Sequence, residues 1–137
     1  MIKLVSRPNV DEMFPLMESG LERARTKTSL GEYWTIQDAY DSLVNFEVYG
    51  FYQEESQYSG IFTVVKSPRK RCLNIFWAGK APGNKVPIND TECDEFFKAC
   101  AIHFECQAIL IKGRRGWEKM ASRQGYLEDS RTYVKEL

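Results

Sequence analysis

Six apolar residues, Cys93, Phe96, Phe97, Cys100, Ala101 and Phe104, fall at i, i+3, i+4, i+7, i+8 and i+11. They sit between two short apolar runs, and no other feature constrains the fold as strongly. The spacing predicts a helix with one buried face, capped by Asp90 or Thr91. The run before it, Cys72 to Ala78, is apolar on nearly every position through Trp77, as expected of a central strand covered on both faces. The run after it, Ala108 to Ile111, is a short buried strand. A helix crossing between two strands of one sheet makes them parallel neighbours. The chain is therefore expected to build an α/β domain around that pair.

The other segments extend the same sheet. Ile2 to Val5 reads as a first strand, broken by Arg7-Pro8-Asn9. A helix follows from about Val10 to Arg25, with Met13, Leu16, Met17, Gly20, Leu21 and Ala24 on its apolar face. Pro15 suits it only near the first turn, where a missing N–H is harmless. Thr26 to Leu30 is a polar link. Thr35 then caps a second helix, Ile36 to about Val44, with Asp38 placed to return a bond to the cap. Phe46 to Tyr52, Ser59 to Lys66 and Cys72 to Ala78 form an antiparallel meander, joined by the polar turns Gln53–Gln57 and Ser67–Lys70. Gly79 to Asn89 is a loop. Trp117 to Arg123 is a last helix stopped by Gly125, before a final strand from Thr132 to Val134. The order is β-α-α-β-β-β-α-β-α-β, one domain over residues 1–137.

Composition excludes several function classes. The 137 residues carry 19 basic and 19 acidic side chains, so any nucleic-acid contact has to rest on a local patch rather than on net charge. Lys66, Arg69, Lys70 and Arg71 around Pro68 are the one basic hairpin tip, read as a solvated turn or as a weak nucleic-acid contact. Met1 to Val5 is too short for a signal-peptide core, and no apolar run has spanning length, so synthesis in the cytoplasm without a membrane anchor is expected. The cysteines at 72, 93, 100 and 106 form no CxxC pair, and His103 is the only histidine. They read as small apolar filler, with neither a metal site nor a disulfide framework. A nucleophile built from His103 with Cys100 or Cys106 lacks an orienting third group.

The order of elements, together with Gly113-Arg114-Arg115-Gly116-Trp117 and the closing Gly125-Tyr126, resembles the Gcn5-related N-acetyltransferase (GNAT) fold over essentially the whole chain. Pro68-Arg69-Lys70, Leu73, Ile75 and Gly79 further resemble a pattern in small GNAT-like proteins of tailed phages and prophages, encoded near virion-assembly genes. The family resemblance implies an acetyl-CoA site in which the fourth strand splays from the fifth and its backbone holds the pantetheine arm. Here that place is Trp77, Ala78 and Gly79. The family's diphosphate loop has its counterpart in Lys80-Ala81-Pro82-Gly83-Asn84-Lys85, with Lys80, Gly83 and Lys85 as candidate contacts. That loop keeps one glycine, and the helix after it opens with Asp90, Glu92, Asp94 and Glu95, whose charges satisfy their own helix end and repel a diphosphate.

The family's general-acid tyrosine, four residues before the Gly-aromatic pair, falls on Ala121, and a methyl group donates no proton. No catalytic residue is assigned. Arg114 and Arg115 beside Trp117 are the remaining candidate contact, for a partner protein or an anion, against a solvated turn with a core tryptophan. The first reading is a GNAT-like phage accessory or virion-associated protein that acts by binding other virion or host proteins. It needs no cofactor and travels from the host cytoplasm into the virion. The alternative is an acetyl-CoA-dependent N-acetyltransferase with relocated catalytic groups.

Overall fold

The longest strand of the molecule organises everything around it. The computed structural model describes residues 1–112, 118–129, 133 and 135–137. Its five strands are β1 (Ile2–Val5), β2 (Tyr49–Gln53), β3 (Tyr58–Lys66), β4 (Arg71–Lys80) and β5 (Ala108–Ile111). They form one sheet in sequence order, antiparallel from β1 to β4 and parallel between β4 and β5. The helices are α1 (Val10–Thr26), α2 (Ile36–Val44), α3 (Asp90–His103) and α4 (Glu118–Arg123). The expected element order is met as far as α4. The strand expected from Thr132 to Val134 lies outside the described residues, apart from an exposed Tyr133.

Two cores flank the sheet, because alternate strand residues face opposite ways. Tyr52, Ile61 and Trp77 join α1 and α2 on one face, while Phe51, Phe62, Leu73 and Ile75 join α3 on the other. β4 breaks its own alternation. Phe62 pairs with Ile75 and Ile61 with Trp77, so Phe76 is an extra residue, a β-bulge. Phe76 and Trp77 consequently both pack on the α1–α2 core, where the Trp34 ring meets them at 5.5 and 6.0 Å.

Most local structure follows from the residues. Thr35 accepts from the Asp38 N–H at 3.1 Å while Asp38 accepts from the Thr35 N–H at 2.8 Å, the reciprocal cap that starts α2. Gly125, at φ +85°, ends α4 with Tyr126 N–H bonded to the Ala121 carbonyl and Gly125 N–H to that of Ser122.

Other expectations need correction. Pro15 lies inside α1, on its exposed side. Leu16 is 47% exposed, and Phe14 takes its place in the core. The first strand of the meander starts at Tyr49 rather than Phe46, because Phe46 turns the chain at φ +58°. Part of the polar link is a 3-10 helix, Ser29–Glu32. Asn89, not Asp90 or Thr91, caps α3.

Candidate functional site

The site sits where β4 outruns β5. The ladder between them pairs Cys72 with Ala108 and ends at Ile75 with Ile111, and Lys112 N–H bonds to the Ile75 carbonyl at 2.9 Å. β4 continues to Lys80, remaining paired with β3 on its other side. Among the described residues no strand covers the β5-facing edge of Phe76–Lys80. A strand edge of this kind offers N–H and C=O groups to an extended ligand in the way it would to another strand.

The side chains of this stretch are structural. Trp77 is buried, and its indole N–H donates to the Leu21 carbonyl of α1 at 2.8 Å, so it belongs to the core and does not plug the opening. Ser59 of β3 donates to the Met17 carbonyl at 3.2 Å, one turn earlier on the same helix. Ala78 packs with the α3-side core. Gly79 lies so close to α1 that an added Cβ would stand 2.2 Å from the Gly20 carbonyl oxygen. Trp77, Ala78, Gly79 and Lys80 thus share one edge by chain continuity, while Gly83 and Lys85 sit apart on the exposed loop that follows.

That loop is held by amides the sequence reading did not single out. Gln53, at the end of β2, is 1% exposed, and its side-chain amide pairs with the Asn89 backbone as a peptide would. Its Oε1 accepts from the Asn89 N–H at 3.1 Å and its Nε2 donates to the Asn89 carbonyl at 3.2 Å. Nε2 also reaches Glu92 Oε1 at 3.1 Å, and Ser56 donates to Oε1 at 2.5 Å. Asn84 donates to Gln57 and to the Glu55 carbonyl, fixing the middle of the loop to the β2–β3 turn. The spacing Asn89-x-x-Glu92 was a visible cap signal. Gln53 carried no signal, because its partner lies 36 residues away.

At the start of α3 three backbone donors are engaged. Glu92 N–H bonds to Asn89 Oδ1 at 3.1 Å, Cys93 N–H to the Asn89 carbonyl at 3.1 Å, and Asn89 N–H to Gln53. Arg123 of α4 approaches Asp90 at 3.6 Å, and Lys98 binds Asp94 at 2.9 Å.

Acetyl-CoA, which the fold implies, can be tested here in two halves. The pantetheine arm needs a strand edge, and β4 supplies one. The diphosphate needs unengaged N–H groups and a positive field. This helix end supplies neither in full, since Asp90, Glu92 and Asp94 crowd it. The arm fits and the diphosphate does not.

Below the Ile75–Ile111 fork lies a cavity of about 20 Å³, bounded by Tyr58, Cys93, Asp94 and Tyr126 among others. That is room for about one water molecule. Among the described residues the buried Tyr126 hydroxyl has no hydrogen-bond partner, and burial, then Asp94 and Cys93, push its pKa up to about 12. Burial raises Cys93 to about 12 and Cys100 to about 11, which leaves both as thiols at neutral pH. His103 is exposed at the end of α3 while Cys100 is buried, so the His103–Cys100 nucleophile is not assembled. Ala121 is half-buried on α4. Arg114, Arg115 and Trp117 lie outside the described residues. Among the described residues no group of three His, Cys, Asp or Glu side chains is placed to hold a metal ion, and no helix is long and apolar enough to cross a membrane.

No protein-family model matches the chain, and no curated protein sequence does. Solved structures match across its length. An aminoglycoside acetyltransferase from an uncultured soil metagenomic sample shares the fold at TM-score 0.72 and 12% identity, with 100% of this chain and 97% of that one covered. A GCN5-related N-acetyltransferase from Ralstonia eutropha JMP134 gives 0.69 at 10% identity, covering 99% and 97%. A predicted acetyltransferase from Clostridium acetobutylicum, solved with acetyl-CoA, gives 0.63 at 10% identity, covering 100% and 95%. The fold is the GNAT fold. At these identities the likeness concerns the fold alone.

Proposed function

We propose that this protein is an N-acetyltransferase that takes its acetyl group from a pantetheine thioester such as acetyl-CoA. The observation that carries the reading is the five-residue stretch of β4, Phe76–Lys80, running past its last pair with β5 in a sheet otherwise continuous. A thioester on that edge would be held by the backbone N–H and C=O groups of Phe76–Lys80. The bound donor supplies an activated acyl carbon: an amine nitrogen bonds to it, the C–S bond breaks, and the amine's proton ends on the thiol. The chain's part is to hold the arm by its backbone and to hold α1 against β4 through Trp77 and against β3 through Ser59.

A second reading draws on a different observation. Ala121 stands where the resemblance implies a proton donor, which favours a GNAT-like protein that binds without turnover. In that reading it is a phage-derived accessory or virion-associated protein with virion or host partners, contacted through Arg114, Arg115 and Trp117. One experiment separates the two. The protein is incubated with acetyl-CoA or S-acetylpantetheine and a panel of primary amines, and free thiol is measured alongside acetylated amine. Amine-dependent thiol release is the expected result. Thioester binding without release selects the binding protein, and no binding of either thioester at millimolar concentration overturns the transferase reading.

A further inference from the structure

We infer that this protein recognises its acyl donor by the pantetheine thioester arm alone, so that a donor lacking the nucleotide diphosphate binds as well as acetyl-CoA. The inference rests on the transferase reading and deepens it at the same site. The two halves of the ligand meet opposite surfaces. The arm meets the open edge of β4 past Ile75, whose backbone groups carry no charge and bind an extended amide chain of any origin.

The diphosphate would meet the start of α3, where three of the backbone donors are engaged within the protein. Asn89 N–H is taken by Gln53, Glu92 N–H by Asn89 Oδ1 and Cys93 N–H by the Asn89 carbonyl. The carboxylates there have also drawn in the nearby cations. Arg123 turns to Asp90, the terminal amine stands 4.0 Å from Glu92, and Lys98 binds Asp94. Lys80, at the end of β4, and Lys85, on the loop, make no ion pair among the described side chains. Lys85 is exposed, which leaves it weak against several carboxylates at the helix end itself.

Two kinds of donor share this arm: a free small thioester, and an arm carried on a protein through a single phosphodiester. Three probes separate them in calorimetric titrations of the whole chain without amine: S-acetylpantetheine, S-acetyl-4′-phosphopantetheine and acetyl-CoA. Dissociation constants for acetylpantetheine and acetyl-CoA within about three-fold of each other are expected. The phosphorylated arm binding within about three-fold of acetylpantetheine supports the inference and selects a carrier-borne donor, whereas its binding more than about ten-fold tighter overturns recognition by the arm alone. Its binding more weakly supports it and selects a free thioester. Acetyl-CoA binding more than about ten-fold tighter than acetylpantetheine overturns the inference while leaving the transferase reading intact. Failure of all three to bind overturns both.

A variant checks the electrostatic basis. Asp90→Asn combined with Asp94→Asn, with folding verified by circular dichroism, is expected to tighten acetyl-CoA binding about three- to thirty-fold and leave acetylpantetheine unchanged. No gain for acetyl-CoA overturns the assignment of that helix end as diphosphate-repelling.

Discussion

Adding one methyl group at Gly79 tests how rigidly α1 is clamped to the open end of β4. The Cβ of Gly79→Ala would sit 2.2 Å from the Gly20 carbonyl oxygen and 3.0 Å from Ala24 Cβ, both on α1. Ordinary contact begins at 3.4 Å, so α1 must retreat by about 1.2 Å. The retreat is opposed by the indole bond from Trp77 to Leu21, which would stretch from 2.8 Å to beyond hydrogen-bond range. Overpacking costs about 1–3 kcal/mol and the lost bond about 1 kcal/mol, so the variant should lose about 2–4 kcal/mol.

Gly20→Ala strikes the same contact from the other side, at 2.5 Å from the Gly79 carbonyl oxygen and 2.9 Å from Ser59 Oγ. It regains about 1 kcal/mol of helix propensity and should cost about 1–3 kcal/mol. One displacement of α1 relieves both clashes and the helix-propensity gain at Gly20→Ala is kept, so the double variant should cost about as much as Gly20→Ala alone rather than the sum. Urea denaturation followed by tryptophan fluorescence gives all four corners of the cycle. Additive costs, or a loss under about 0.5 kcal/mol for Gly79→Ala, would refute the reasoning.

Gln53→Leu removes the amide that pairs with the Asn89 backbone and leaves the part-buried Asn89 N–H and the buried Ser56 hydroxyl without their acceptor, which should cost about 1–3 kcal/mol in the same denaturation assay. Stability should fall at alkaline pH. Cys93 is raised from 9.0 to about 12, first by burial and then by Asp90 and Glu92. The unfolded thiol therefore loses its proton before the folded one, and the contribution present below pH 9 drains away as pH rises toward 12. A steep limb of up to about 1.4 kcal/mol per pH unit from this thiol should appear in urea midpoints above pH 9 and flatten in Cys93→Ala. Ala121→Tyr puts a phenol on α4 where the resemblance implies a proton donor; thiol release should rise by about ten-fold or more, and an unchanged rate would show that α4 does not face the reacting thioester.

Sequence reading reached those elements whose signals are local. Thr35 and Asp38 spell their cap within four residues, and the α3 stripe repeats often enough to fix a face. It failed where the deciding partner is distant or the pattern is saturated. Leu16 and Phe14 are both apolar and both suitably spaced, and only the sheet beneath α1 chooses Phe14. The bulge at Phe76 is hidden because a run apolar on every position shows no alternation to break. Gly79 looked like the first residue of a loop, yet it is the ninth residue of β4, and its missing side chain is what admits the α1 backbone. Of the site, the splayed stretch was legible at Trp77–Gly79. Gln53, which positions the loop after it, was not.

The two halves of the ligand test also explain why structural likeness persists at 10–12% identity while specific chemistry does not. Binding an extended arm at the end of β4 uses backbone groups, and these are present whatever residues the strand carries, provided β4 and β5 diverge. Divergence depends on a bulge, a helix crossing and a close α1 contact, all of which survive wide substitution if volume and pattern are kept. Binding a diphosphate at the start of α3 depends on which residues stand in one turn. A cap that uses Asn89 and a first turn that carries Asp90 and Glu92 oppose it. On the inference drawn above, the strand edge and the helix end would part company in this chain. The comparison of acetylpantetheine with acetyl-CoA measures that separation directly.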